Sequence, residues 1–342
     1  MPQQFDSSAT GGIACDFRMH GSDFRAPYGR YALGKVNFGT SVGPPTICDG
    51  TPEINVHMSS PGFDAFSEIW TTDSAPETGT YRGLSYAHDG EYIFCCGRIP
   101  ESDSYRDQTR EAYGAAFELI EELGYSRIFR MWNFISSINQ DNAEGLEVYR
   151  DFCLGRAEAF AAYSEDAGKM PSATGIGALG GGITFFFLAC VNGLAQHVEN
   201  PAQMPAYHYP EQYGAKSPSF ARATHLRSRD GDRGAVYVSG TASILGHRTV
   251  HAGDIDLQCD VALENIARLV SAENLDRYGI EDAYELKELR FVKVYIRHAE
   301  HLPQVRAKCA AAFPAHTEIV YLHVDVCRSD LLVEIEGIMV GR

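Results

Sequence analysis

The sequence has no CxxC pair and no HExxH motif, although its 342 residues include 9 cysteines and 12 histidines. Scattered in this way, they lack zinc-ligand spacing, and no metal is expected. The odd cysteine count predicts reduced and mostly buried thiols. No apolar run is long enough to cross a bilayer as a helix, since the longest, ITFFFLACV at 183–191, is too short. The opening MPQQFDSSATGG has neither a basic nor an apolar leader region, so no signal peptide is expected. Basic residues are few, with 29 Lys+Arg against 45 Asp+Glu and a net charge of -16. That balance, without basic runs, argues against nucleic-acid binding. With 44% apolar and 22% charged residues, the composition is that of a globular protein. Together these absences predict a soluble, cytoplasmic protein that acts on a small molecule or another protein, with no nucleic-acid or membrane partner.

What is present is an internal repeat. The C-terminal third runs from a strand ending in glycine (235–240) to a helix (256–271), a strand (289–297) and a second helix reaching 312. FPA at 313–315 then leads into strands at 319–326 and 331–340. The middle third follows the same order: strand and glycine at 92–97, helix 106–123, strand 127–135, helix 147–163, MPSA at 170–173 and a strand pair. In the first 88 residues only strands at 32–39 and 53–58 and a short helix at 64–70 are legible, which suggests a shortened third copy. Between the two clear copies, 198–228 carries four prolines among Tyr207, Tyr209, Tyr213 and Phe220. It reads as a long ordered loop, and such loops are usually functional. The expected division is 1–88, 89–228 and 229–342.

Gly175, Gly177 and Gly180 match the GxGxxG dinucleotide fingerprint in letters. They are followed by a strand pattern where that motif needs a helix, so they read as a hairpin-type connection. More informative is LLVEIEGI at 331–338, where period two puts Glu334 and Glu336 on one face and Val333 and Ile335 on the other. The plain reading is a solvated sheet face. The corresponding middle strand, 183–191, is apolar on both faces, so the alternative is a carboxyl against an apolar surface, its pKa raised as a general acid requires. Cys327 precedes this strand and Gly240 ends another. The former could be a core filler and the latter a turn residue, or a place where a ligand approaches the backbone. Arg156, Arg222 and Arg297, beside a cleft with Tyr207 and Tyr213, suggest a dianion site.

These residues carry a resemblance. SG at 239–240, FPA at 313–315 and VEIEGI at 333–338 resemble the RidA/YjgF fold, whose members are homotrimers with sites at subunit interfaces. One chain with repeated copies resembles such a trimer fused into a monomer. The whole arrangement, with YSRIFRMWNF at 125–134, YRDFCLGR at 149–156, SPSFAR at 217–222 and VSGTAS at 238–243, is similar to the chorismatase family. The resemblance implies an α/β (α+β) monomer of three RidA/YjgF-like β-α-β-α-β-β domains with pseudo-three-fold symmetry, the N-terminal copy degenerate. It implies one site between the central and C-terminal domains and no cofactor. Glu334 would protonate the enol-ether methylene of chorismate. Gly240 and Cys327 match the members that form 3-hydroxybenzoate and pyruvate, through an arene-oxide-like species guided by the thiol. Members with alanine at both positions hydrolyse chorismate to a dihydroxycyclohexadiene carboxylate. Arg156, Arg222 and Arg297 would hold the two carboxylates, with Tyr149, Tyr207 and Tyr213 bonding substrate oxygens.

Three alternatives remain at this stage: the hydrolytic reaction, a RidA-like imine deaminase and a small-acid binding module. His316 stands after FPA, where RidA deaminases have their carboxylate-binding arginine. That argues against the deaminase.

Overall fold

In the computed structural model, residues 12–19, 26–163, 170–228 and 233–340 are described, and the opening stretch read for a leader lies largely outside them. Strands β1 (Ile13–Met19), β2 (Tyr31–Gly39), β3 (Thr46–Cys48), β4 (Thr51–His57) and β5 (Phe66–Thr72) form the first sheet, in the order β1-β5-β2-β4-β3. The central sheet is built from β6 (Glu77–Tyr81), β7 (Leu84–His88), β8 (Tyr92–Ile99), β9 (Arg127–Ser136), β10 (Ser172–Ala178) and β11 (Ile183–Cys190). Its crossovers hold helices α1 (Arg106–Glu122) and α2 (Val148–Tyr163). β12 (Ala195–Val198), β13 (Ala223–Leu226) and β14 (Ala235–Ala242) open the third unit, followed by the small ribbon β15 (Ile244–Leu245) and β16 (Arg248–Thr249). α3 (Ile255–Leu269), α4 (Ala272–Leu275), β17 (Leu289–Ile296), α5 (Leu302–Ala312), β18 (Glu318–His323) and β19 (Val333–Met339) complete it.

The strand orders expose the repeat. The central sheet runs β10-β9-β11-β8-β7-β6, and the third, read from its other edge, β18-β17-β19-β14-β13-β12. In both, one parallel pair (β9 with β10, β17 with β18) sits beside antiparallel neighbours. The first sheet keeps the corresponding β4-β2-β5-β1 core, including a parallel β2–β4 pair. Its crossovers contain no helix among the described residues.

Packing follows from which face of each sheet is apolar. α1 places Tyr113, Ala116, Phe117 and Ile120 at helical spacing and, with α2, covers the outer face of the central sheet. α3 and α5 cover the third sheet in the same way. α3 starts where the Asp254 carboxylate accepts from the Leu257 amide at 3.0 Å. The inner faces of all three sheets meet in one core, to which they contribute Phe38 and Trp70, Trp132 and Phe186, and Tyr237 and Tyr295. There Trp132 stacks on Phe186 with ring centroids 4.3 Å apart. Because the sheets close on one another in this way, each has two buried faces wherever a helix also covers it.

Three local expectations are corrected. Residues 64–70 are not a helix: FSEIWTT forms β5, paired with β1 on one side and β2 on the other. A short apolar run does not distinguish the two states by itself, and two ladders of partners decide for the strand. Gly175 and Gly177 are no hairpin connection: they lie within β10, and β9 sits between β10 and β11 and pairs with both. The junction 198–228 holds single turns at Ala206–His208 and Glu211–Tyr213 and ends in β13, which pairs with β14. The junction is therefore anchored to the third sheet, as the β6–β7 hairpin is to the central one.

Candidate active site

β14 carries an extra residue against β19: Val238 faces Gly337, while Thr241 faces Ile335. The resulting bulge is Ser239-Gly240, and bulges of this kind re-aim side chains at sheet rims. The Ser239 hydroxyl donates to the Ala221 carbonyl at 2.6 Å and accepts from the Ala173 amide at 2.9 Å. The Gly240 amide donates to the Thr174 hydroxyl at 3.1 Å. These bonds bind the edge strand β10 of the central sheet to β14 of the third, and a cavity of about 330 Å³ opens at that seam.

Glu334 projects into the cavity from β19 and is only 4% exposed. A Cβ at residue 240 would meet its Cδ at 2.8 Å and an oxygen still closer, so glycine is what lets the carboxyl lie against β14. Burial, followed by the neighbouring Glu336 anion, pushes Glu334 up to about 8 against the attraction of Arg130 and Arg222. The side chain is therefore a protonated acid at neutral pH. Glu336, on the same face, is the opposite case. It accepts from Arg130 Nη2 at 2.5 Å, Trp132 Nε1 at 2.8 Å and the Tyr295 hydroxyl at 3.0 Å, with Lys293 Nζ at 2.9 Å. Although burial opposes ionisation, these cations and donors hold it down at about 2. The solvated-face reading is thereby overturned. The two glutamates share a face, but that face is the inner core, and one is neutral while the other is charged.

Six of the nine residues singled out in the sequence line the cavity: Glu334, Cys327, Gly240, Tyr149, Tyr213 and Arg222. The Cys327 thiol is pushed up to about 12 by burial and then by Glu334, so it keeps its proton. Tyr149 lies over Gly175, where a Cβ would come within 3.2 Å of the ring. The Tyr213 hydroxyl meets His247 Nδ1 at 3.2 Å. Arg222 Nη2 donates to the Tyr209 hydroxyl at 2.6 Å and the Met204 carbonyl at 2.9 Å, while its buried Nε has no hydrogen-bond partner.

The structure does not bring Arg156, Arg297 and Tyr207 to the cavity wall. Arg156 lies behind it, donating to the Ser219 carbonyl at 2.5 Å and resting over Phe160. Arg297 binds the carbonyls of Leu331, Val326 and Arg328 at 2.7, 2.8 and 2.8 Å, along with Asp325 and Asn139. With its fork occupied in this way it clamps the segment bearing Cys327 and has little left for a ligand. Tyr207 faces Glu199, whose carboxyl is pushed up to about 7 by burial.

Sequence reasoning passed over Arg328, whose guanidinium lies 3.9 Å from the Tyr213 ring centroid at the cavity wall. It also passed over Arg130 and Lys293. Both had a legible signal, a cation inside an apolar strand (RIFRMWNF, LRFVKVYI), which requires a buried anion as partner. Among the described residues no cluster of histidine, cysteine, aspartate or glutamate could hold a metal ion. No described helix is long and apolar enough to cross a membrane. The site thus presents a neutral carboxylic acid and a neutral thiol, flanked by the guanidinium groups of Arg222 and Arg328. This constellation suits proton donation to an anionic, ring-sized molecule.

Comparison with known proteins gives concordant results. Residues 68–189 match the family described as "Chorismatase FkbO/Hyg5-like, N-terminal". The chain is 55% identical over 315 residues to a 3-hydroxybenzoate synthase of Streptomyces hygroscopicus, covering 92% of this chain and 93% of that protein. It is 44% identical over 307 residues to a chorismatase of Streptomyces rapamycinicus, covering 90% and 92%. A chorismatase crystal structure superposes with a TM-score of 0.92 at 44% identity, covering 97% of this chain and 99% of the other.

Proposed function

The chain belongs to the chorismatase family, and from that premise we propose that it converts chorismate to 3-hydroxybenzoate and pyruvate at the seam between the central and third sheets. The observation that carries this reading is the Glu334 carboxyl, buried, held near 8 and seated against a residue without a Cβ, with the Cys327 thiol beside it. Likeness to a 3-hydroxybenzoate synthase over nine-tenths of both chains supports the choice of product.

In this reading Glu334 gives its proton to the enol-ether methylene carbon, and an oxocarbenium ion forms. The ring carbon–oxygen bond then breaks and releases pyruvate as the ketone. The neighbouring ring hydroxyl oxygen closes on the carbon left behind and loses its proton, which restores that of Glu334. The arene-oxide-like product isomerises to the phenol, so no water, oxidant or reductant is consumed. Burial favours this order of events, because Glu334 begins neutral and becomes an anion beside the developing cation. Cys327 takes part as a protonated thiol, suited to donating toward the epoxide oxygen.

Arg222 and Arg328 serve the substrate carboxylates in this scheme, Arg222 through its uncommitted Nε. Arg222→Met is expected to raise KM by about tenfold or more with a smaller change in kcat, the pattern of lost uniform binding. Arg297→Met is expected instead to lower Tm, because three buried carbonyls lose their donor.

The reaction is tested by incubation with chorismate in oxygen-18 water and mass analysis of the acid product. Unlabelled 3-hydroxybenzoate is expected. A non-aromatic diol, with or without the label, would place the protein in the hydrolytic branch, and failure to consume chorismate would overturn the assignment.

A further inference from the structure

Among the described residues the first sheet has neither crossover helices nor a residue at the cavity wall, yet it sends a carboxylate into the inner core. Glu68 on β5 is 1% exposed. It accepts from Lys293 Nζ at 2.6 Å and from Trp70 Nε1 at 2.9 Å. Lys293 lies in turn 2.9 Å from Glu336 Oε1, and Arg130 reaches Glu336 Oε2 at 2.5 Å. Arg130 also donates to the Thr174 hydroxyl at 2.7 Å, and Thr174 itself bonds Glu336. The Thr174 hydroxyl accepts from the Gly240 amide, and Gly240 is the residue against which Glu334 rests. An unbroken chain of contacts therefore runs from the first sheet to the acid.

Its charges balance. Glu68 and Glu336 offset Lys293 and Arg130, and Glu334 sits at the end of this neutral set as an uncharged acid. Without Glu68, this hydrogen-bonded cluster would carry one net positive charge, added to the Arg222 guanidinium that already faces Glu334, and would draw Glu334 toward its ionised form. We propose that Glu68 is a positioning residue for the reaction: acting through Lys293 and Glu336, it completes the charge balance that holds the proton on Glu334. This inference rests on Glu334 acting as the acid, but its test does not depend on turnover.

The groups facing this pathway are few. Glu334 is met by Glu336 on its own strand, Arg130 from β9, Arg222 from the junction, and Cys327 and Tyr149 at the cavity. Glu68 is met by Lys293 and Tyr295 from β17, Glu336 from β19 and Cys15 from β1.

The experiment follows the carboxylic C=O infrared band of Glu334 through a pH titration of the full-length chain, assigned by its loss in Glu334→Gln. In Glu68→Gln the midpoint is expected to fall by roughly one pH unit, the scale of one uncompensated charge acting across a protein interior. Glu68→Met is expected to do the same. The double variant Glu68→Gln/Lys293→Gln restores neutrality and is expected to titrate like wild type. A purely packing role for Glu68 would not be rescued by removing a second buried partner. Single variants that do not fold while the double variant folds and titrates like wild type would also support the charge balance. An unmoved midpoint in a folded single variant would overturn the proposal, as would a shift that the double variant fails to reverse. Failure of all three to fold would make Glu68 structural only. A protein that leaves chorismate untouched would instead sink the proposed reaction and leave this titration standing.

Discussion

Glu334→Gln is expected to lower the turnover of chorismate by about two to four orders of magnitude, the usual contribution of a positioned general acid. Gln has the same shape and still fits against Gly240, but it has no acidic proton to give to carbon. Because Glu334 titrates near 8, wild-type activity should be full below neutrality and fall about tenfold per pH unit once the pH passes that value. The variant's residual rate should lack that alkaline limb. Stability should also fall with rising pH, over a window that begins lower. Folded protein keeps the Glu334 proton between 4.5, the ordinary glutamate value, and about 8, whereas the unfolded chain has released it. The wild type therefore loses stability as pH rises through that window, and the Gln variant is spared the loss. Steady-state rates with chorismate and thermal melts at two pH values check both arms. Near-normal turnover in folded Glu334→Gln would remove this residue from the role of acid.

Gly240→Ala is expected to reduce turnover by roughly a hundredfold, the scale set by displacing a reacting group by about 1 Å. Its methyl group would stand 2.8 Å from Glu334 Cδ and closer still to one oxygen. The backbone on both sides is held by ladders and by the Ser239 and Thr174 bonds, so the carboxyl must give way. Truncating Cys327, which neighbours Glu334, opens room for that movement. The double variant Gly240→Ala/Cys327→Ala should accordingly recover part of the lost rate, with the dihydroxy diene acid appearing among its products. A double variant as slow as the single one, giving only 3-hydroxybenzoate, would show that the two positions are not coupled through Glu334. Product analysis by mass, with kcat measured for all three variants, separates these outcomes.

Much of the architecture could be read without coordinates because the repeat is written in local periodicities. α1 and α3 show apolar residues at helical spacing, and their observed ends fall within two residues of the expected ones. The short run around Trp70 was misjudged because nothing local separates a buried strand from a helix turn. Arg156, Arg222 and Arg297 are equivalent by composition and neighbourhood in the sequence. They separate only when their partners and places are known: Arg297 is taken up by carbonyls and Asp325, Arg156 lies behind the cavity on the junction backbone, and Arg222 stands at the cavity wall with its Nε unpartnered.

The sequence by itself determined the order of the main strands and helices in the middle and C-terminal copies, the duplication of that order, and the common face of Glu334 and Glu336. Each of these depends on a period of two or 3.6 residues, which neighbouring positions suffice to set. Only the tertiary structure decided that two glutamates two residues apart carry different charge, one near 8 and the other near 2. Protonation depends on burial and on the field of every group within reach, and here that field is assembled from three sheets. Lys293 comes from the third, Arg130 from the central one, and Glu68, the partner of Lys293, from the first.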